Sequence, residues 1–266
     1  MNLHYLTPAG RLFELLKYIA DVRTDKKADL ALAAYYGIDL EGGLAEYVGA
    51  LGETLLLPRA ARESVESRPA RDVARKRLER ALVPVDAMFS MFPALGSYQV
   101  KHIADHFDAG TLSDLETASE LLSEHLSPLE DDGPSEEEPD AESSVEKIRR
   151  LATELSVEAM NADIPYPVAI MIWKNCQDVI WAVHMFKVVG PEGVIRDFDR
   201  LFGAMVLRPE AASAIANTPT LREKLLDLGK SVVLLGAAVA VPGQIAVEAA
   251  NLYKTIEPLL NAATQG

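Results

Sequence analysis

The sequence predicts an all-α protein of about ten helices, built as two helical bundles, and three observations carry that expectation. Apolar residues recur at the three- and four-residue spacing of one helix face in segment after segment. Residues that start and stop helices bracket those segments. Strand signals are thin: β-branched runs are short, period-two alternation is rare, and the hairpin dipeptides Asn-Gly and Asp-Gly are absent apart from "DDGP" in an acidic stretch.

Taken in order, Thr7 before Pro8 suits an N-cap and first turn, after which Leu12, Leu15, Leu16 and Ile19 make one apolar face. "GIDLEGGLAEYVGALGE" is glycine-rich but has neither dinucleotide-turn spacing nor a P-loop lysine. Its Leu44, Tyr47, Val48 and Leu51 read as a helix, with glycines for tight packing and turns. Ser113 with Glu116, Ser143 with Glu146, and Thr220 with Glu223 each match a capping box, which satisfies two orphan amides reciprocally. Ile148, Leu151, Ala152, Leu155 and Ala159 form one stripe, and Val194, Ile195, Phe198, Leu201, Phe202 and Met205 another after Pro191. Residues 165–191 are the most apolar long helix, closed by Gly190 and Pro191. No fixed-period repeat or sustained heptad run is present.

Charge marks the division between the bundles. Residues 1–126 carry 14 basic and 19 acidic side chains, residues 145–266 carry 12 and 13, and the intervening "SPLEDDGPSEEEPDAESS" carries 8 acidic and none basic. That stretch has three prolines and one leucine as its only large apolar residue, so it cannot bury enough surface to order itself and reads as a flexible acidic linker over 127–144. The expected domains are 1–126 and 145–266. The net charge of −14 therefore sits mostly in the linker, which argues against a uniformly negative nucleic-acid mimic. Neither half is basic enough for a phosphate-binding domain, so nucleic acid is not the expected partner.

One cysteine, Cys176, can form no internal disulfide, and the first twenty residues lack a signal-peptide pattern, so a cytoplasmic location is expected. The alanine, arginine and glutamate content is compatible with a high-GC bacterial source. "SVVLLGAAVAVPGQIAVEAA" at 231–250 has an apolar run of about eleven residues before Pro242, short of the roughly 20 a spanning helix needs, so stable membrane insertion is not expected.

Three constellations could carry function. In "SYQVKHIADHF", at 97–107, a helix places Val100, Ile103, Ala104 and Phe107 on one face and His102 and His106 on the other. That pair reads as surface histidines, with a metal or proton site shared with a partner chain as the alternative. "RPARDVARKRLERAL", at 68–82, is the only basic concentration, with Arg68, Arg71, Arg75, Arg77 and Arg80. It reads as a solvated face, or as a docking surface for an acidic segment that the chain's own linker masks. The third is the 165–191 helix, whose polar stripe is interrupted by Trp181: it reads as central to its bundle's core, with a core shared with a partner interface, through Trp173 and Trp181, as the alternative. Cys176 reads as a packed, inert thiol.

No family signature, catalytic set or cofactor motif accompanies these residues. The expected function is that of a non-enzymatic helical interaction protein, an adaptor, regulator or assembly subunit acting on another protein or on its own copies. A metal-binding protein or enzyme using His102 and His106, and a membrane-acting protein exposing 231–250, are the rival readings.

Overall fold

A computed structural model describes residues 3–22, 25–66, 72–124 and 141–239. The fold is all-α: among the described residues there are eleven α-helices, two short 3-10 helices and no strand, the only extended pairing being an isolated bridge between Lys27 and Gln99. By Cα proximity the chain divides into two compact units. One comprises Asn2–His125 with Lys187–Gly190, the other Leu126–Phe186 with Pro191–Gly266.

The first unit is centred on α1 (Pro8–Asp21), whose Leu12, Phe13, Leu15, Leu16 and Ile19 are buried as the apolar spacing predicts. Its N-cap is Thr7, whose Oγ1 accepts from the Gly10 amide at 3.0 Å. The Thr7 hydroxyl also pairs with Ser119 Oγ at 2.8 Å, and Ser119 Oγ lies 3.1 Å from His4 Nδ1. Gly10 sits at the tightest point of this network. A Cβ there would collide with the His4 carbonyl oxygen and Ser119 Oγ, so a side chain is excluded by close approach.

Helix α2 (Ala28–Tyr36) ends in Gly37 at φ 73°, and the amides of Gly37 and Ile38 bond back to the carbonyls of Ala34 and Ala33, a left-handed C-terminal cap that favours glycine. The Lys187 ammonium donates to the Tyr35 carbonyl at that same helix end and lies 4.4 Å from the Tyr35 ring centroid. Burial lowers its pKa. Helix α3 (Leu44–Glu66) buries Tyr47, Ala50, Thr54, Leu57, Ala61 and Val65, and Thr54 Oγ1 pairs with the Tyr36 hydroxyl at 2.8 Å. The hydroxyls of Tyr35 and Tyr47 are buried without a hydrogen-bond partner, and burial, with Asp29 nearby, pushes Tyr47 up to about 12. Helix α4 (Asp72–Phe89) presents Leu78, Leu82, Val85 and Met88 to the core, and Phe89 stacks on Phe92 with centroids 4.5 Å apart. The short α5 (Val100–Ala104) and α6 (Ala109–Ser123) complete the unit.

In the second unit, α7 (Ala141–Asn161) buries the predicted stripe of Ile148, Leu151, Ala152, Leu155 and Ala159. It packs against α8 (Tyr166–His184) and against α11 (Pro219–Val239). Lys224 of α11 reaches Glu154 at 3.0 Å, and the Thr220 hydroxyl donates to Glu158 at 2.7 Å, so two polar ties fix the α7–α11 register. Between them run α9 (Phe186–Val206) and α10 (Pro209–Ala216).

Several local expectations are corrected. None of the three capping boxes starts its helix: Ser113, Ser143 and Thr220 all lie inside α6, α7 and α11. For α6 the stronger cap is Asp108, whose carboxylate accepts from the Thr111 amide at 2.8 Å and hydroxyl at 2.9 Å. The apolar helix at 165–191 is interrupted at Met185, and Gly190 adopts φ 65°, ψ −170°, a conformation open essentially to glycine alone. The last four residues of the acidic stretch, 141–144, already belong to α7, and 127–140 lie outside the described residues.

Candidate protein-interaction surface

The histidine pair is exposed on both members. Helix α5 stops at Ala104, so His106 is no longer on it, while Val100, Ile103 and Ala104 are buried as the helical phase required. His102 Nδ1 accepts from the Gln99 amide at 3.3 Å, a cap that occupies one ring nitrogen. Its neighbour Lys101 pairs with Asp25 at 2.6 Å. Among the described residues no three His, Cys, Asp or Glu side chains are grouped to hold a metal ion.

The basic helix is used largely by the chain itself. Arg68 and Arg71 lie outside the described residues. Arg75 pairs with Glu79 one turn on, at 2.8 Å, in an exposed contact. Arg80 grips Asp114 of α6 with both ends of its guanidinium, at 2.5 and 2.6 Å, and Arg77 adds a third bond at 3.0 Å. Asp114 is buried, and these hydrogen bonds, from Arg80 foremost, hold its carboxyl below the usual carboxylate range. An intramolecular α4–α6 clamp therefore takes up Arg77 and Arg80, two of the cations that looked free in the sequence. Asp114, six residues into α6, carried no sequence signal that would have paired it with residues 34 and 37 positions earlier.

Helix α8 divides differently from the sequence expectation. Val168, Ile172, Cys176 and Val179 point into the core, where burial pushes the Cys176 thiol up to about 12 and leaves it an unreactive packing group. At 100° per residue, Tyr166, Ile170, Trp173, Gln177, Ile180, Trp181 and His184 fall within roughly 50° of a common outward direction. Trp173 is 42 % exposed and Tyr166 69 %, His184 is exposed, and the other four are half-buried. Trp173 and Trp181 thus share one face. Their companions Tyr166, Ile170 and Ile180 went unnoticed because the polar stripe of this helix is narrow and interrupted by Trp181, so it marks the outward side poorly.

Lys174 and Asp178 edge this face. Burial and the neighbouring Asp197 raise the Asp178 carboxyl. Asp197 itself is buried and is held by Arg196 at 3.1 Å and Arg200 at 3.0 Å. No helix among the described residues is long and apolar enough to cross a membrane, and 240–250 of the small-residue segment lie outside them. No protein-family model, curated protein or solved structure matches this chain.

Proposed function

We propose that the chain is a non-enzymatic helical interaction protein that docks a helix of a partner protein on the outward face of α8. The observation that supports it is the placement of Tyr166 and Trp173, two large aromatics of the kind that anchor interfaces, on the side of α8 opposite its core contacts. The part of Trp173 left exposed on that side costs solubility and packs on nothing among the described residues. With half-buried Ile170, Ile180 and Trp181 along the same line, the face offers anchors at the spacing a partner helix would match.

In this reading the acidic stretch serves as a tether between two helical bundles in a cytoplasmic adaptor or assembly subunit. As a mask it would have to engage Arg68, Arg71 and Lys76 of the basic segment, since Arg77 and Arg80 already pair with Asp114 and Arg75 with Glu79. The test is capture of bound proteins at native expression level with wild type, Trp173→Glu, and Val83→Glu as a control at an exposed apolar residue elsewhere. A stoichiometric partner kept by wild type and Val83→Glu and lost by Trp173→Glu supports the proposal. An identical set of bound proteins for all three contradicts it.

A further inference from the structure

The outward face of α3 carries an independent observation. Leu44, Val48, Leu55 and Leu56 are large apolar side chains left in water, Leu44 at 63 % and Leu56 at 53 % exposure, with exposed Ala45, Gly49 and Gly52 between them. At 100° per residue they all lie within about 80° of Gly52, while the buried Ala50, Thr54 and Ala61 point the opposite way. Like Gly203 in the last turn of α9, Gly52 has open space where a Cβ would stand, but Gly52 lies mid-helix among exposed large apolar side chains. It sits in the interior of a 23-residue helix, where glycine is the least favourable residue after proline, and a Cβ built on it would meet nothing within 4 Å. Nothing among the described residues requires it. Glycine in such a place allows another backbone to approach closely, and the exposed Gly49 widens the same smooth strip by one turn.

We infer that α3 pairs with the α3 of a second copy of this chain, antiparallel, with the two helices crossing at Gly52. The register follows from the two-fold axis: a residue n positions after Gly52 faces the one n positions before it in the other copy. Leu55 then falls opposite Gly49, Leu56 opposite Val48, and the long stem of Arg59 opposite Ala45, so each large group meets a smaller one. Each end offers one cation to the other copy, with Glu63 set opposite Glu41 in the same register. The Arg59 head reaches the part of the other copy that holds Glu41 and Glu46, and its present partner is only the exposed Glu63 one turn along, a pair that exchanges at little cost. Antiparallel helices also bring opposite dipole ends together. The apolar part of the face, residues 44–56, is about 18 Å long, so the contact is small and the dimer weak, forming and dissolving in the micromolar range.

The experiment uses the full chain, whose native Cys176 is buried and leaves an introduced surface thiol as the reactive one. In the proposed register the double variant Val48→Cys/Leu56→Cys sets its thiols opposite those of the second copy, and Leu44→Cys places a thiol some 24 Å along the helix from its own counterpart. Under mild oxidation the double variant is expected to yield a disulfide-linked dimer at least tenfold faster than Leu44→Cys. In parallel, sedimentation velocity from about 1 to 200 µM is expected to show a reversible dimer for wild type and for Trp173→Glu, and monomer for Leu55→Glu. Equal cross-linking of the two cysteine variants, a dimer that survives Leu55→Glu or is lost in Trp173→Glu, or monomer throughout the range would each overturn the inference. The Trp173→Glu arm separates failure here from failure of the α8 reading.

Discussion

Gly10 and Gly52 are both glycines inside α-helices, and their surroundings could not differ more. Around Gly10 the chain leaves no room for a methyl group, since the His4 carbonyl and Ser119 hydroxyl already occupy the space. Around Gly52 nothing stands within 4 Å of where a methyl group would be. The same helix-weakening residue is therefore explained from within the molecule in one place and not in the other. An internal contact accounts for Gly10, whereas none among the described residues accounts for Gly52, and the proposed α3 pairing would.

The comparison can be broken by mutation, and the largest effect falls on the crowded site. Gly10→Ala is expected to cost about 3 kcal/mol, as overpacking against backbone does, read as a fall in the denaturation midpoint. Asp114→Asn should cost about 2 kcal/mol, less than loss of a fully sealed ion pair because both guanidiniums reach water. That cost has a predictable pH dependence. The folded-state carboxyl of Asp114 lies below its ordinary value, so the unfolded chain takes up the proton first. The stabilisation is complete above about pH 5 and is lost as pH falls below about 4 toward the folded-state value, so the gap between wild type and Asp114→Asn should close over that range. A gap that stayed constant from about pH 6 to 3 would contradict the clamp.

Smaller effects sharpen the contrast. Gly190→Ala should cost about 2 kcal/mol in thermal unfolding, because φ 65° with ψ −170° is barred to a residue with a Cβ whatever the space around it. Tyr47→Phe removes a buried hydroxyl that has no partner and should be neutral or stabilising by up to about 1 kcal/mol. Measured destabilisation would mean that this hydroxyl is satisfied in solution.

What the sequence made legible follows the same division between internal and external demands. Helical spacing located α1, α7, α8 and the second half of α9, and Thr7 marked its cap, because each reports a local requirement of the chain. The mistaken capping boxes arose where an acidic chain repeats Ser or Thr three residues before Glu by chance, while Asp108 did the capping unnoticed. Leu44, Tyr47, Val48 and Leu51 identified a helix correctly, but of the four only Tyr47 is buried, beside Ala50 and Thr54. Periodicity reports that a stripe exists, and only packing decides whether the chain itself covers it. His102 came out exposed because its apolar neighbours fixed the phase, while His106 lies exposed past the end of α5; the Arg80–Asp114 clamp joins residues 34 apart and left no mark in local pattern.

The most direct test of the central claim, that the open space at Gly52 is kept for a second copy of α3, is the thermal midpoint of Gly52→Ala against wild type over a concentration series. Below about 1 µM, where the chain is monomeric, the alanine should stabilise by about 1 kcal/mol through helix propensity alone. At hundreds of micromolar the sign should reverse, because the wild type gains stability from pairing that the added methyl group impedes. A variant more stable than wild type by the same margin at every concentration would show that nothing uses the space, and the claim would fall.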